Sequence, residues 1–206
     1  MKILGSEKGV ALVTALLLTL LSLAITMALL SFIIAGTKMS AAQKRYSNSL
    51  AAAYGGVEVT TKDLIPKIFN GYTSSVLNLS FTTINLAVQT SNACLRQKLY
   101  LPTKQWTTSV CGANAATQSA VISPDFKFTL SGTTAATNYN VFAKIIDTVP
   151  GNSDPSGMDL DPGMAVAGSA AGISPMHIPA MVTLEVEGTQ GNNPQEKADL
   201  SVLYAY

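Results

Sequence analysis

The chain has 206 residues, of which 48% are hydrophobic and only 12% are charged, and its formal net charge is +1. Residues 1–70 contain seven Lys or Arg and three Asp or Glu, and residues 71–206 contain six and nine. Neither part has the dense basic surface of a dedicated nucleic-acid binder. Ser, Thr, Asn and Gly supply most of the polar residues, a mix that suits an uncharged, β-rich extracellular module.

An uncharged apolar stretch of 28 residues, at positions 10–37, dominates the beginning of the chain. As an α-helix it would be about 42 Å long at about 1.5 Å per residue, which exceeds the roughly 30 Å hydrocarbon core of a bilayer. Its hydroxyl groups do not oppose insertion, because Ser and Thr in a helix donate to backbone carbonyls one turn back. A core helix of a soluble protein is the alternative, but such helices rarely stay uncharged for so long. The stretch therefore predicts a transmembrane helix.

The residues that flank this stretch bear on its processing and orientation. The leader, residues 1–9, carries Lys2 and Lys8, and the apolar run after it is longer than that of a secretory signal and has no small-residue cleavage site behind it. An uncleaved signal anchor and a peptide cut on the cytoplasmic side of the span both fit these lengths. Long trailing domains translocate largely regardless of flanking charge, so we expect the C-terminal bulk of the chain outside the cytoplasm.

The junction between leader and span resembles a known processing signal. Residues 6–9 (SEKG) followed by residues 10–13 (VALV) are similar to the class III signal of type IV pilins and pseudopilins. The resemblance, which covers roughly the first third of the chain, implies cleavage by a prepilin peptidase after Gly9 and N-methylation of Val10. It also implies a helix that is first inserted in the inner membrane and then packs against other major and minor pilins in a filament.

Two positions depart from the pattern of major pilins. Most family members have Glu as the fifth residue of the mature chain, where this sequence has Thr14, and Phe or Met is commoner than Val10 at the first. Both departures are similar to the minor pilins of the PilX and GspK type. In those families the missing acid is explained by a place at the filament tip, where no subunit lies above. The physics agrees, since a carboxylate in lipid or in a filament core is costly without a cationic partner.

Helical periodicity continues over residues 38–70, which we expect to be amphipathic. Larger or apolar residues recur there at spacings of three or four and predict one stripe that is buried against a globular domain. Gly55-Gly56 predicts a bend, because each Gly costs about 1 kcal/mol relative to Ala in a helix. Pro66 predicts a kink or an end, and Asn70-Gly71 is a stop signal. The stripe consists of Met39, Ala42, Tyr46, Leu50, Ala53, Val57, Leu64 and Ile68.

Residues 71–206 have the pattern of a β-rich head domain. Four segments alternate apolar and polar residues as half-buried antiparallel strands do. Residues 189–197, which are rich in turn formers, predict a hairpin between the last two strands, residues 73–86 have no clear assignment, and residues 158–179 predict a long surface loop. The predicted fold class is therefore α+β, with a long N-terminal helix packed on an antiparallel sheet as in pilins. The predicted strands are 126–130, 139–147, 181–187 and 199–206.

Cys94 and Cys111 are the only cysteines, and they enclose a segment that contains Trp106. In a cell-envelope compartment this spacing predicts a disulfide, worth roughly 3 kcal/mol through closure of the loop. Two buried thiols are the alternative, whereas a metal site needs more ligands than the chain offers. We interpret Trp106 as a packing residue. The place of the pair between helix and sheet resembles the connecting region of pilins, where neighbouring subunits are contacted.

Recognisable catalytic and cofactor motifs are absent from the sequence. His177 is the single histidine, residues 168–172 (GSAAG) lack the order of a nucleophile elbow, and there is no P-loop or dinucleotide fingerprint. Asp154, Asp159 and Asp161 faintly resemble a calcium loop, but a Gly stands where the bidentate Glu should be and turn chemistry explains the same residues. We expect no enzyme activity, no cofactor and no nucleic-acid partner; calcium binding is a minor alternative.

These patterns favour a structural role. The resemblance implies a minor pilin-like subunit of a type IV pilus that contributes to assembly or priming at the tip, with adhesion as a further role. A type II secretion pseudopilin is one alternative, although GspK-type chains usually carry a larger extra domain. A single-span envelope protein whose β domain binds a carbohydrate, a surface or a protein is the other. In each case the chain would be an inner-membrane single-pass protein with its head in the periplasm or outside the cell.

Overall fold

The computed structural model describes residues 7–132, 137–151 and 178–206. The chain divides into an N-terminal unit, Met1–Arg45, and a C-terminal unit, Tyr46–Tyr206. The first helix, α1 (Glu7–Glu58), begins in the N-terminal unit and ends in the C-terminal unit. Together with the helical turns that follow, it forms a helix over Gly9–Phe69 that is long and apolar enough to cross a membrane, judged by length and composition.

Every residue from Gly9 to Arg45 is exposed, including large apolar side chains such as Phe32, at 75%. Exposed apolar surface on this scale is unfavourable in water. Residues 10–37 therefore have the surface of a helix that belongs in lipid or against other protein, as their uncharged sequence predicts.

The helical geometry changes between Val59 and Leu64, where the chain forms a π-helix before α2 (Ile65–Phe69). The sequence predicts a bend at Gly55-Gly56, but α1 continues through both glycines. Pro66 lies in the first turn of α2, where its missing N–H costs least. The hydroxyl of Thr60 donates to Gly56 O at 2.8 Å and that of Thr61 to Val57 O at 2.8 Å, which satisfies carbonyls next to the wider turn.

The helix ends at the predicted stop. Gly71 has a φ of +83°, which is accessible to Gly without strain. Its N–H donates to Ile68 O at 2.9 Å, and the N–H of Tyr72 donates to Lys67 O at 3.0 Å. This pair of bonds is the Schellman motif, and it satisfies the last carbonyls of the helix.

Short helices and a five-stranded antiparallel sheet complete the C-terminal unit. The strands lie side by side in chain order, β1-β2-β3-β4-β5, so the fold class is α+β, as predicted. The elements are α3 (Ser74–Ser80), a 3-10 turn (Thr82–Ile84), β1 (Ala87–Val88), α4 (Asn92–Tyr100), a 3-10 turn (Thr103–Gln105), α5 (Thr108–Cys111), β2 (Phe126–Leu130), β3 (Tyr139–Val149), β4 (Met181–Gln190) and β5 (Asn193–Ala205).

All four predicted strands are present, and the hairpin between β4 and β5 is confirmed. Its connection is much shorter than residues 189–197, because β4 continues to Gln190 and β5 begins at Asn193. Residues 73–86, which had no clear assignment, form α3 and a 3-10 turn. Most of the loop predicted at 158–179 lies outside the described residues.

The core of the C-terminal unit lies between the sheet and the helices that cover it. Phe126 and Phe128 from β2 are fully buried there with Leu64 and Ile65. The predicted apolar stripe is correct in its second half only, because Met39, Ala42 and Tyr46 are exposed. The residues of α1 that are buried in this unit are all small: Ser49, Ala52, Ala53 and Gly56.

Small residues let α1 approach the sheet closely. A Cβ atom added to Gly188 of β4 would lie 2.7 Å from Ser49 O and 2.8 Å from Ala53 N. A Cβ atom added to Gly56 would clash with Val141 and lie 3.0 Å from Val186 Cγ1. The close contact between helix and sheet therefore depends on two glycines, one from each side.

Candidate functional site

Five of the six hydroxyl groups along the apolar segment (residues 10–37) are satisfied within the helix itself. The Thr14 hydroxyl donates to Ala11 O at 2.9 Å, and the same bond to the carbonyl three residues earlier is made by Thr19, Thr26, Ser31 and Thr37. A polar group without a partner is costly in an apolar medium. The segment thus presents an apolar surface on which these five hydroxyls carry no such cost.

The residues of the predicted processing site lie together near the beginning of α1. Gly9 and Val10 are exposed helical residues. Thr14, whose side chain is uncharged, follows Val10 by about one helical turn. Cleavage after Gly9 and methylation of Val10 stay predictions.

The predicted disulfide is confirmed: Cys94 of α4 is bonded to Cys111 of α5, with Cα atoms 4.9 Å apart. The enclosed segment is held by further bonds, since Gln97 Oε1 accepts from both the N–H and the hydroxyl of Thr107, at 3.0 and 3.1 Å. Trp106 is buried, as expected for a packing residue, and its Nε1 donates to Leu101 O at 2.9 Å.

A buried ion pair lies beneath this disulfide-linked segment. Lys98 of α4 is on the same helix face as Cys94, and its Nζ donates to both carboxylate oxygens of Asp125 at 2.8 Å. The two side chains are 1% and 0% exposed. The ring of Trp106 lies 5.1 Å from Nζ, within the range of a cation–π contact.

Asp125 also receives neutral donors. The Thr90 hydroxyl donates to it at 2.6 Å and the backbone N–H of Ile145 at 2.8 Å. A buried carboxylate is tolerated only when such donors and a cation compensate its lost hydration. Asp125 therefore joins α4, the chain before β2, and β3 at one point.

A second buried lysine lies close to this pair. Lys144 of β3 alternates with the core residues Ala143 and Ile145, and its Nζ donates to Asn114 O at 2.9 Å and to the Thr117 hydroxyl at 2.7 Å. Burial, followed by the nearby charge of Lys98, lowers the pKa of Lys144 to about 8, although the Asp125 carboxylate acts in the opposite direction. Lys144 fixes the segment after the disulfide to the sheet.

A third group of charges lies across β4 and β5. Glu187 is paired directly with Asp199, and Lys197 Nζ lies 3.6 Å from Glu187 Oε1 and 3.7 Å from Asp199 Oδ2. Burial, together with the hydrogen bond and the charge of Asp199, raises the pKa of Glu187 to about 7, against the effect of Lys197. A cavity of about 350 Å³ separates this group from residues 118–120.

These charge clusters are better explained as contacts that stabilise the fold than as a catalytic or metal-binding site. Within residues 7–132, 137–151 and 178–206 no three His, Cys, Asp or Glu side chains are placed to hold a metal ion. The possible calcium residues Asp154, Asp159 and Asp161, and also His177, lie outside the described residues. The surface with the most evident capacity for association is the apolar segment of α1.

Sequence reasoning missed the buried charges. Lys98 had a detectable signal, because it stands in the buried stripe of α4 between the apolar neighbours Leu95 and Leu99. The sequence contains no such signal for Lys144 or Glu187, because each stands at a polar position of a strand that alternates polar and apolar residues. Their burial depends on the segment before β2, whose path the pattern does not predict.

No protein-family model matches this sequence, and no match to it was found among curated proteins or among solved structures.

Proposed function

We propose that this chain is a pilin-like structural subunit, a minor component of a type IV pilus that acts in assembly or priming at the filament tip. One observation carries the proposal. An exposed, charge-free apolar helix follows a leader that ends in Gly9, and it continues into a helix that packs by small residues on an antiparallel sheet. This combination suits a subunit that is stored in a membrane and later assembled.

Association is the mechanism. Between helices in lipid, tight van der Waals packing rather than a hydrophobic gain stabilises contacts, so moving the apolar segment from lipid to a bundle of similar helices replaces one apolar environment by another. The side-chain hydroxyls that already donate within the helix need no new partner after this transfer. The folded head would remain at the outside of the filament.

The position within the filament is inferred from Thr14. In the family that the leader resembles, an acid at this place pairs with the terminal amine of a neighbouring subunit. An uncharged threonine, with its hydroxyl already donating to Ala11 O, does not need that partner. A subunit with no neighbour above it fits this side chain best.

Co-expression with a prepilin peptidase tests the proposal. We expect the mature chain to lose residues 1–9 and to begin with a methylated Val10, as read by intact-mass spectrometry. Gly9→Leu should block processing because a bulky side chain would stand at the cleaved bond. Gly36→Leu is a matched control, since a Cβ atom at Gly36 meets nothing within 4 Å, and it should be processed normally.

An unchanged mass in the presence of active peptidase would contradict the proposal and favour a plain membrane anchor. A Gly9→Leu chain that is shortened as efficiently as the Gly36→Leu chain would contradict the assigned cleavage site.

A further inference from the structure

A pocket of about 160 Å³ lies where the end of α2 meets α4. Ile68 and Leu95, which are buried, contribute to its lining, and the half-buried rings of Phe69 and Tyr100 stand beside them. Pockets for drug-sized ligands have about 300–1,000 Å³, so this one suits a single ring. We call it the helix-end pocket, and its lining comes from residues 68–73 and 92–100.

The aromatic side of the helix-end pocket is held in place by ring contacts. Phe69 meets Tyr100 edge to face, with ring centroids 5.7 Å apart, and stacks on Tyr206 at 4.4 Å. Tyr72 follows the Schellman turn at the end of the helix and is 44% exposed. Aromatic faces carry partial negative charge and attract polarised C–H groups. The pocket therefore offers preformed faces on which a flat or chair-shaped ring can rest.

One cation, Arg96, belongs to the lining of the helix-end pocket. Asn92, Arg96 and Tyr100 recur every four residues and share one face of α4, and the guanidinium carbon of Arg96 lies 5.9 Å from the centre of the Tyr100 ring. Among the residues that the structure describes, no carboxylate is paired with Arg96, and none that lines the pocket is acidic. A guanidinium is a planar fork that matches a carboxylate. The charge of the pocket therefore complements an anion.

Polar groups at the rim require more than an apolar acid. Asn92 Oδ1 accepts from the N–H of Ser74 at 2.7 Å, which fixes the side-chain amide and leaves its NH₂ group as a donor. Thr73 precedes α3 without a side-chain hydrogen bond to that helix, so its hydroxyl can serve a ligand. An apolar ring would bury these groups without partners, at a cost in free energy. A ring that carries hydroxyl groups avoids this cost.

We propose that the helix-end pocket binds a hexuronic acid unit of an acidic polysaccharide. Its carboxylate accepts from the guanidinium of Arg96, one C–H face of the sugar ring rests on the ring of Tyr72, and its hydroxyls pair with Asn92 and Thr73. Uronic acids are repeating units of acidic polysaccharides on cell and matrix surfaces, so the site would hold the head to such a surface. Binding here requires neither cleavage at Gly9 nor assembly, so its failure would leave the proposed pilin function standing.

Saturation-transfer NMR titration of the purified full-length chain, in a detergent without a sugar headgroup, tests the site. Methyl glucuronide should bind with a Kd about tenfold below that of methyl glucoside, because only the first offers a carboxylate for charged hydrogen bonds to Arg96. Arg96→Gln should abolish this preference. Lys104→Gln removes the same charge from an exposed position outside the pocket, and it should keep the preference.

Two substitutions of Tyr72 test the ring contact. Tyr72→Ala should weaken the binding of both glycosides severalfold, whereas Tyr72→Phe keeps the aromatic face and should bind them as the parent chain does. Unchanged melting of the head would confirm that the variants fold. N-acetyl-phenylalanine, which has a ring and a carboxylate but no ring hydroxyls, represents the C-terminal residue of a protein partner and should bind more weakly than methyl glucuronide.

Four results would each overturn the assignment. They are the absence of measurable binding of methyl glucuronide, equal Kd values for the two glycosides, a preference that survives Arg96→Gln in a folded chain, and tighter binding of N-acetyl-phenylalanine than of methyl glucuronide. The last result would assign the pocket to a peptide instead of a sugar.

Discussion

Two buried lysines and one buried aspartate meet where α4, β3 and the chain before β2 converge. Lys98 is compensated by Asp125, whereas Lys144 relies on neutral oxygens of Asn114 and Thr117. Charges in such a place are stabilising only as a complete set, because each one that loses its partner stays buried without hydration.

Lys98→Met should destabilise the head strongly. The carboxylate of Asp125 would keep its two neutral donors but lose its bidentate cation, and breaking a buried pair in this way costs about 3–5 kcal/mol. Urea unfolding followed by the fluorescence of Trp106 would measure the loss. Lys62→Met is the control, since the Lys62–Glu58 pair is exposed and such pairs contribute about 0–1 kcal/mol. Equal midpoints for the two variants would contradict the prediction.

Lys144 should make stability rise in alkaline solution. Its pKa is about 8 in the folded chain, against 10.5 for an unperturbed lysine, so between these values the unfolded chain binds the extra proton. Stability therefore increases with pH across this window and is independent of this group below it. Lys144→Met should flatten the rise in melting temperature between pH 8 and 10.5. A slope that persists in the variant would show that another group is responsible.

Glu187 should make stability change with pH in the opposite direction, in acid solution. Its pKa is raised from 4.5 to about 7, so the folded chain binds the extra proton between these values. Stability then falls as the pH rises from 4.5 to 7 and changes no further above this range. Glu187→Gln mimics the protonated side chain and should remove the fall in melting temperature. Glu185→Gln, on the same face of β4, serves as control and should keep it.

At the scale of elements, three of the four strands could be predicted to within three residues, the last strand begins six residues earlier than predicted, and the helix end at Asn70-Gly71 was correct. Helix α4 was missed because its nine residues are too few and too polar for a strong periodic signal. The hairpin loop was placed too wide, since Pro194 and Asn193 are typical turn formers although they lie in β5. Edge strands tolerate such residues, and that context is not visible in the local sequence.

Substitution of the two adjacent glycines should separate packing from helix propensity. Gly56→Ala places a methyl group against Val141 and Val186, and such overpacking costs about 1–3 kcal/mol. Gly55→Ala meets only Leu130 Cδ1, at 3.2 Å, and this side-chain end can move aside while the helix gains up to about 1 kcal/mol. Thermal unfolding should show a lower midpoint for the first variant and an equal or higher one for the second. The reverse order would contradict the close helix–sheet contact.

At the scale of the whole molecule, the apolar helix, the disulfide and the α+β class could all be predicted, because each has a signal that is local in sequence. The path of residues 112–123 was not predicted, nor was the burial of four charged side chains: Lys98, Asp125, Lys144 and Glu187. They depend on contacts such as Lys98–Asp125 and Lys144–Asn114 that join distant parts of the chain.

The proposed place in the filament gives a test on the full protein. If the chain occupies the tip, Thr14→Glu introduces a carboxylate that finds no cationic partner in the apolar surroundings, so fewer pili should assemble. Electron microscopy of a strain that carries this variant would count the filaments, with Thr14→Val as the uncharged control. Wild-type numbers of filaments with Thr14→Glu would contradict the tip position.

The hydrogen bond from Ser49 to Glu196 joins residues 147 positions apart, so its two partners are synthesised at very different times. The small-residue face of α1 leaves the ribosome long before the strands that it packs against exist. Contacts of such high sequence separation form late and slowly. The apolar segment has therefore been made, and is free to be delivered to a bilayer, well before the head can close around the other half of its own helix.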